Sequence, residues 1–148
     1  MLGTPDTNHP ETIVAFDFGL RRIGVAVGQN ITASANPITA IRNSDAGPDW
    51  QAISTIVSKW RPARLIVGMP LHKDGSPSDM VRYINRFIGE LGRFARPVET
   101  VDESYSSLEA GELLKSGRAL GLRGRINKEA IDSVAAVLIA EQWLGKSS

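Results

Sequence analysis

The sequence predicts an α/β domain: three consecutive strands in an antiparallel meander, then alternating helices and strands, giving a five-stranded mixed sheet flanked by helices. Three observations predict it. Two short apolar runs rich in β-formers flank the Gly19-Leu20-Arg21-Arg22 segment. Apolar residues then recur at helical spacing from Trp50 and again from Met80, and each stripe is followed by a short strand-like run. A closing stretch, Ala135 to Ala140, is apolar almost all round, as a deeply packed helix requires.

Taken in order, Ile13 to Phe18 is short, apolar and stopped by Gly19, so it reads as a buried strand. Leu20 to Arg22 would be the turn and Ile23 to Gly28 the second strand of a hairpin. A third strand is expected near Pro37 to Ile41. Asn43 to Asp49 is rich in turn formers. Trp50, Ile53, Val57 and Trp60 mark a helix that Pro62 must end. Arg64 to Gly68 is the next strand, and a strand returning after a helix implies a parallel pair. Pro70 to Pro77 is a loop, and Met80, Val81, Ile84, Phe87, Ile88 and Leu91 give a second amphipathic helix. A fifth strand runs from Val98 to Val101 into Asp102-Glu103. Ser106-Ser107-Leu108-Glu109 fits a capping box, Gly117 to Gly124 is a glycine- and arginine-rich loop, and a last helix spans about Lys128 to Leu144. Met1 to Thr12 reads as a flexible tail, and residues 13–145 as a single domain.

Composition narrows the classes. Of 148 residues, 42% are hydrophobic and 22% charged, ordinary for a soluble globular chain. There is no cysteine, which rules out disulfides and thiolate zinc sites. The start of the chain has no basic-then-apolar leader and no run is long enough to span a bilayer, so the expectation is a cytoplasmic protein without a membrane partner. The net charge of +1 is low for a duplex binder, so any nucleic-acid contact must come from local clusters.

Three acids stand at element ends. Asp17 ends an apolar strand, on the face of Ile13 and Ala15 by period-two alternation. Asp102 and Glu103 follow a parallel strand at its carboxyl end, where open α/β sheets bind ligands, and alternation admits one of the two to a shared site. Asp132 lies in the first turn of a helix that must press on the sheet. Each alone could be a turn or cap residue. Together they are a set of oxygen ligands for Mg²⁺ or Mn²⁺, because clustered carboxylates repel one another unless a divalent cation neutralises them. Such ions activate water and stabilise the leaving oxygen of a phosphodiester. Arg21 and Arg22 lie beside Asp17, and Arg123, Arg125 and Lys128 lie on the approach to Asp132, with Arg118 in the same basic loop. These are candidate phosphate contacts, and His72 is a candidate substrate contact. Trp50 and Trp60 follow the apolar stripe and read as core.

The motifs, in order, resemble the YqgF family, the RuvX-like Holliday junction resolvases. Ala15-Phe16-Asp17-Phe18-Gly19 through Val27 is similar to its first motif, and Val67-Gly68-Met69-Pro70-Leu71 with Asp74-Gly75-Ser76 to its second. Val101-Asp102-Glu103 with Ser106 to Ala110 resembles the third, and Ile131-Asp132-Ser133 through Ile139 the last. The resemblance implies a ribonuclease H-like fold and a bacterial nuclease that matures the 5′ end of 16S ribosomal RNA from its precursor. By match it makes Asp17, Glu103 and Asp132 the acidic residues, with Arg22 the basic residue beside the first. Two positions depart from the family pattern: Ser104 stands where Arg is usual, and His72 where Asn is frequent. If that Arg holds a phosphate, this chain must use another cation or bind more weakly.

The expected function is therefore metal-dependent hydrolysis of structured RNA, with pre-16S rRNA as partner. The alternatives are a resolvase of branched, four-way DNA, which should act as a homodimer and not a monomer, and a non-catalytic RNA-binding assembly factor. A nucleotide-binding fold of the actin or sugar-kinase type also opens with Asp-x-Gly in a hairpin, but it needs two such halves, and 148 residues hold one.

Overall fold

A computed structural model describes residues 11–70, 79–102 and 128–147, with side chains in the last stretch from 133 to 145. Its elements are β1 (Thr12–Phe18), β2 (Arg22–Gln29), β3 (Ser34–Ser44), β4 (Gly47–Pro48), α1 (Trp50–Trp60), β5 (Arg64–Met69), α2 (Val81–Leu91), a 3₁₀ turn (Gly92–Phe94), β6 (Val98–Asp102) and α3 (Lys128–Ser147). The sheet order is β4-β3-β2-β1-β5-β6. β1, β2 and β3 pair antiparallel, and β1, β5 and β6 pair parallel. The mixed sheet expected from the sequence is thus present.

Among the described residues it has six strands where five were expected. The sixth, β4, is only two residues, pairing Asn43 with Pro48 and Ser44 with Gly47 across a tight turn in which Gly47 has φ +107°. A pair that short leaves no periodicity to read. β3 is also longer than its apolar centre, because its ends are held by backbone pairing and not by burial of side chains. Thr12 belongs to β1, and the chain is anchored one residue earlier: Glu11 N–H donates to Asn30 Oδ1 at 2.7 Å.

Alternation in β1 and β2 sends side chains to two faces, and in β2 it also sorts them by size. Ile23 and Val25 face one way with Val14 and Phe16, and meet Ile53, Val57, Ile84 and Phe87 of α1 and α2. Trp50 and Trp60 pack against this cluster at the ends of α1, in the core role expected of them. The other face carries Ile13 and Ala15 of β1 and Ala26 of β2, with Gly24 and Gly28 at the same parity, and α3 lies across it. A side chain at Gly28 would meet Leu144 Cδ1 at 3.1 Å, so the helix comes close where the strand residues are small. α1 starts at a conventional cap: Asp49 Oδ1 accepts from Ala52 N–H at 3.2 Å.

Candidate nuclease site at the β1–β2 turn

Asp17 is the penultimate residue of β1. The four residues before it, Ile13 to Phe16, are fully buried, and Asp17 is half-buried where the strand emerges. It shares a face with Ile13 and Ala15 and is paired across the hairpin with Gly24, which has no side chain. The expectation that Asp17 shares the face of Ile13 and Ala15 is met, and that face is the one α3 covers.

α3 runs opposite to β1. Leu144 sits over Gly28 and Ile13, a cross-strand pair near the start of β1. Ala136 and Val137 pack on Ala26, whose partner is Ala15, two residues further along β1. One more helical turn towards the N-terminus leads to position 132, on the helix face of position 136 and in the direction of the Asp17–Gly24 pair. The backbone of Asp132 therefore belongs to the end of the sheet where Asp17 lies. Ser133, the next residue, is buried.

β6 ends at Asp102, which is exposed, while Val101 is buried in the α3 cluster. Gln142 of α3 donates from Nε2 to the Asp102 carbonyl at 2.7 Å, and Trp143 Nε1 donates to Glu99 Oε1 at 3.2 Å. These bonds fix the edge strand against the same helix. Glu103, His72, Arg123 and Arg125 lie outside the described residues, as do Arg118, the capping box at Ser106 and the Gly117–Gly124 segment; the side chains of Asp132 and Lys128 do too. Among the described residues there is no group of three His, Cys, Asp or Glu placed to hold a metal ion.

Arg21 is exposed in the turn, and Arg22, half-buried, opens β2. Both stand at the Asp17 end of the β1–β2 hairpin. The turn itself is Gly19-Leu20-Arg21, one residue earlier than the sequence suggested, with Arg22 in the strand. Gly19 is obligatory there, since a Cβ would stand 2.6 Å from the Arg22 carbonyl oxygen. Sequence reasoning missed the residue that holds this turn. Asn43, only 8% exposed, donates from Nδ2 to the Gly19 carbonyl at 2.7 Å, and its backbone N–H donates to the Arg21 carbonyl at 2.9 Å. Asn43 sits in a run of turn formers, and nothing in that composition marks a residue that bonds 24 positions back. On the opposite face of the sheet a groove of about 380 Å³ opens beside the turn, lined by Phe18, Leu20, Trp50, Tyr83 and Arg86 among others.

The architecture has known counterparts. Solved structures of similar fold include Thermus thermophilus RuvC in complex with a Holliday junction substrate (TM-score 0.55, 15% identity, 92% of this chain and 97% of that one). Another is the yeast mitochondrial Holliday junction resolvase Ydc2 (TM-score 0.50, 10% identity, 89% and 77%). The fold is thus that of the ribonuclease H-like class, in which an antiparallel meander continues into parallel βα units. A family model described as "RuvX: Holliday junction resolvase" matches residues 11–146, and the chain belongs to that nuclease family. Relatives named "Putative pre-16S rRNA nuclease" include one from Burkholderia lata, 44% identical over 138 residues (93% of this chain, 91% of the relative). Another, from Nitrosococcus oceani, is 41% identical over 144 residues (97% and 92%).

Proposed function

We propose that this chain is a divalent-metal-dependent endonuclease that hydrolyses phosphodiester bonds of structured RNA, processing the 5′ end of pre-16S rRNA in ribosome biogenesis. The observation that carries the reading is the placement of Asp17. A carboxylate stands half-buried at the end of a fully buried strand, on the face of the sheet that α3 covers, and the helix presents position 132 towards that same end. A carboxylate so placed loses hydration and needs a cation or donors around it. The family to which the chain belongs and the pre-16S name of its relatives supply the substrate class.

In this reading Asp17, Glu103 and Asp132 would hold Mg²⁺ or Mn²⁺. Glu103, the residue after the end of β6 in sequence, joins the set by its match to the family motif. The donors fit a hard cation: all are carboxylate oxygens, and Gly24 opposite Asp17 adds no bulk. When bound, such an ion activates the attacking water and stabilises the leaving oxygen. The chain's own contribution is to fix Asp17 on a rigid strand and to hold the RNA backbone with Arg21 and Arg22, assisted by Arg123, Arg125 and Lys128, with His72 touching substrate. Among the described residues no helix is long and apolar enough to cross a membrane, and a cytoplasmic location, where precursor rRNA is found, accords with the reading.

Cleavage of pre-16S rRNA with Mg²⁺ by wild type against Asp17→Asn tests the proposal. A loss confined to the variant supports it, and equal activity in both ends it. The second reading is resolution of four-way DNA, favoured by the family description and by the fold shared with RuvC on a Holliday junction. Symmetric cutting of a junction needs two sites and hence a homodimer. Junction cleavage without RNA cleavage would select this reading, and a strict monomer would weigh against it. RNA binding that survives Asp17→Asn with no Mg²⁺ uptake and no cleavage by wild type would instead select a non-catalytic assembly factor.

A further inference from the structure

We propose that Asn43 is a positioning residue for the acidic centre: it clamps the β1–β2 turn and so fixes Asp17 on one side of that turn and Arg22 on the other. The inference rests on the reading of Asp17 given above and adds a residue to it from a different part of the chain.

The turn has three residues between two antiparallel strands, and its carbonyls lie beyond the last strand pair, Phe18 with Ile23. Carbonyls at such a position need partners. Two of the three take them from a single residue of β3. The Asn43 side-chain amide donates to Gly19 at 2.7 Å, and the Asn43 backbone N–H donates to Arg21 at 2.9 Å. Asn43 is nearly buried, so water competes weakly for the side-chain bond. The two bonds grip the turn at both ends of its span, while the register of Arg22 against Arg42 ties β2 to β3 immediately beside it. The turn has no slack of its own: the chain doubles back so closely at Gly19 that its Cα hydrogens face the Arg22 carbonyl.

Asp17 is two residues from Gly19, in the last but one pair of the β1–β2 ladder, so the turn sets the position of the strand end that carries it. Holding Gly19 and Arg21 to β3 fixes that turn. A carboxylate that must share an ion with groups from other elements depends on such preorganisation. Asparagine suits the position because it is short and carries a donor. An aspartate of the same shape would present an acceptor to a carbonyl oxygen.

The test uses the full chain in four forms: wild type, Asn43→Ala, Asn43→Asp and Asn30→Ala. The last removes a part-buried bond, Glu11 N–H to Asn30 Oδ1, at the opposite end of the β1–β2 hairpin, and serves as a control for general loosening. Thermal melting, calorimetric titration with Mn²⁺ alone, and kcat and KM on precursor RNA are measured for each. Both Asn43 variants should melt as folded proteins, bind Mn²⁺ about fivefold or more weakly, and lose roughly tenfold in kcat with KM within about threefold of wild type. Asn30→Ala should lower the melting temperature yet leave Mn²⁺ affinity and kcat within about twofold. Folded Asn43 variants with wild-type Mn²⁺ affinity and kcat would overturn the proposal. So would equal losses in Asn30→Ala, or failure of both Asn43 variants to fold, which would make Asn43 a folding residue only. Asp17→Asn run in parallel separates the two claims: if it alone loses activity, only the role of Asn43 falls, and if it behaves as wild type, the reading of the site falls and takes the positioning role with it.

Discussion

Towards α1 and α2 the sheet presents Phe16, Phe18, Ile23 and Val25; towards α3 it presents Ala15, Gly24, Ala26 and Gly28. On the first face Phe87 is the hub, with ring centroids 5.5 Å from Phe16, 5.2 Å from Phe18 and 5.6 Å from Trp50. That face is filled by large rings and supplies much of the apolar burial. On the second face β2 offers small residues, Ala26 against Ala136 and Gly28 under Leu144, while Ile13, Ile66 and Val101 pack with Ile139, Trp143 and Leu144 of α3. Close approach is what a site built from a strand-end acid and a helix-start acid requires, because carboxylate side chains are short. Both faces bury apolar side chains, and the α3 face also lets the helix approach β2 where its residues are small.

Four substitutions break or sharpen that contrast. The largest effect is expected from Asp17→Asn, which should cut the rate of RNA cleavage by about a thousandfold or more, roughly 4 kcal/mol of transition-state stabilisation, while leaving the melting temperature nearly unchanged. On the aromatic face, Phe87→Ala should cost about 3–5 kcal/mol in urea unfolding, with kcat per folded molecule close to wild type. On the α3 face, Ala26→Leu should cost only about 1–3 kcal/mol, because overpacking is partly relieved by displacement of the helix. Mn²⁺ affinity should nevertheless fall with it, since the start of α3 moves. If Ala26→Leu and Phe87→Ala damaged metal binding in proportion to their cost in stability, the contrast between the faces would be wrong. The smallest effect is expected from Arg21→Ala, which should weaken RNA binding less than about tenfold and reduce the salt dependence of log K by about one.

Much of the framework was legible because hydrophobic period reports burial directly. The stripe from Trp50 to Trp60 and the one ending at Leu91 became α1 and α2, and the apolar runs at Ile13, Ile23 and Leu65 became β1, β2 and β5. The size alternation of Ile23-Gly24-Val25-Ala26 was visible as letters, but its meaning depends on which helix covers which face, and that is tertiary information. β4 was invisible, since two residues of backbone pairing leave no pattern. So was Asn43, whose value lies in a contact 24 residues away. Asp17 stood out for a physical reason, as a charge ending an apolar strand, and its face was assignable from parity alone. Glu103 and Asp132 were singled out by their place at element ends and by the family motifs they match, and the structure adds for Asp132 the position of its backbone along α3.

The central claim is that side-chain oxygens of Asp17, Glu103 and Asp132 share a cation. A crystal structure of the full chain soaked in Mn²⁺, with data at the manganese absorption edge, measures this directly. The expected result is an anomalous peak with oxygens of all three carboxylates around it, those of the direct ligands at roughly 2.0–2.3 Å. Manganese bound elsewhere, or the three carboxylates too far apart for one site to reach, would contradict it.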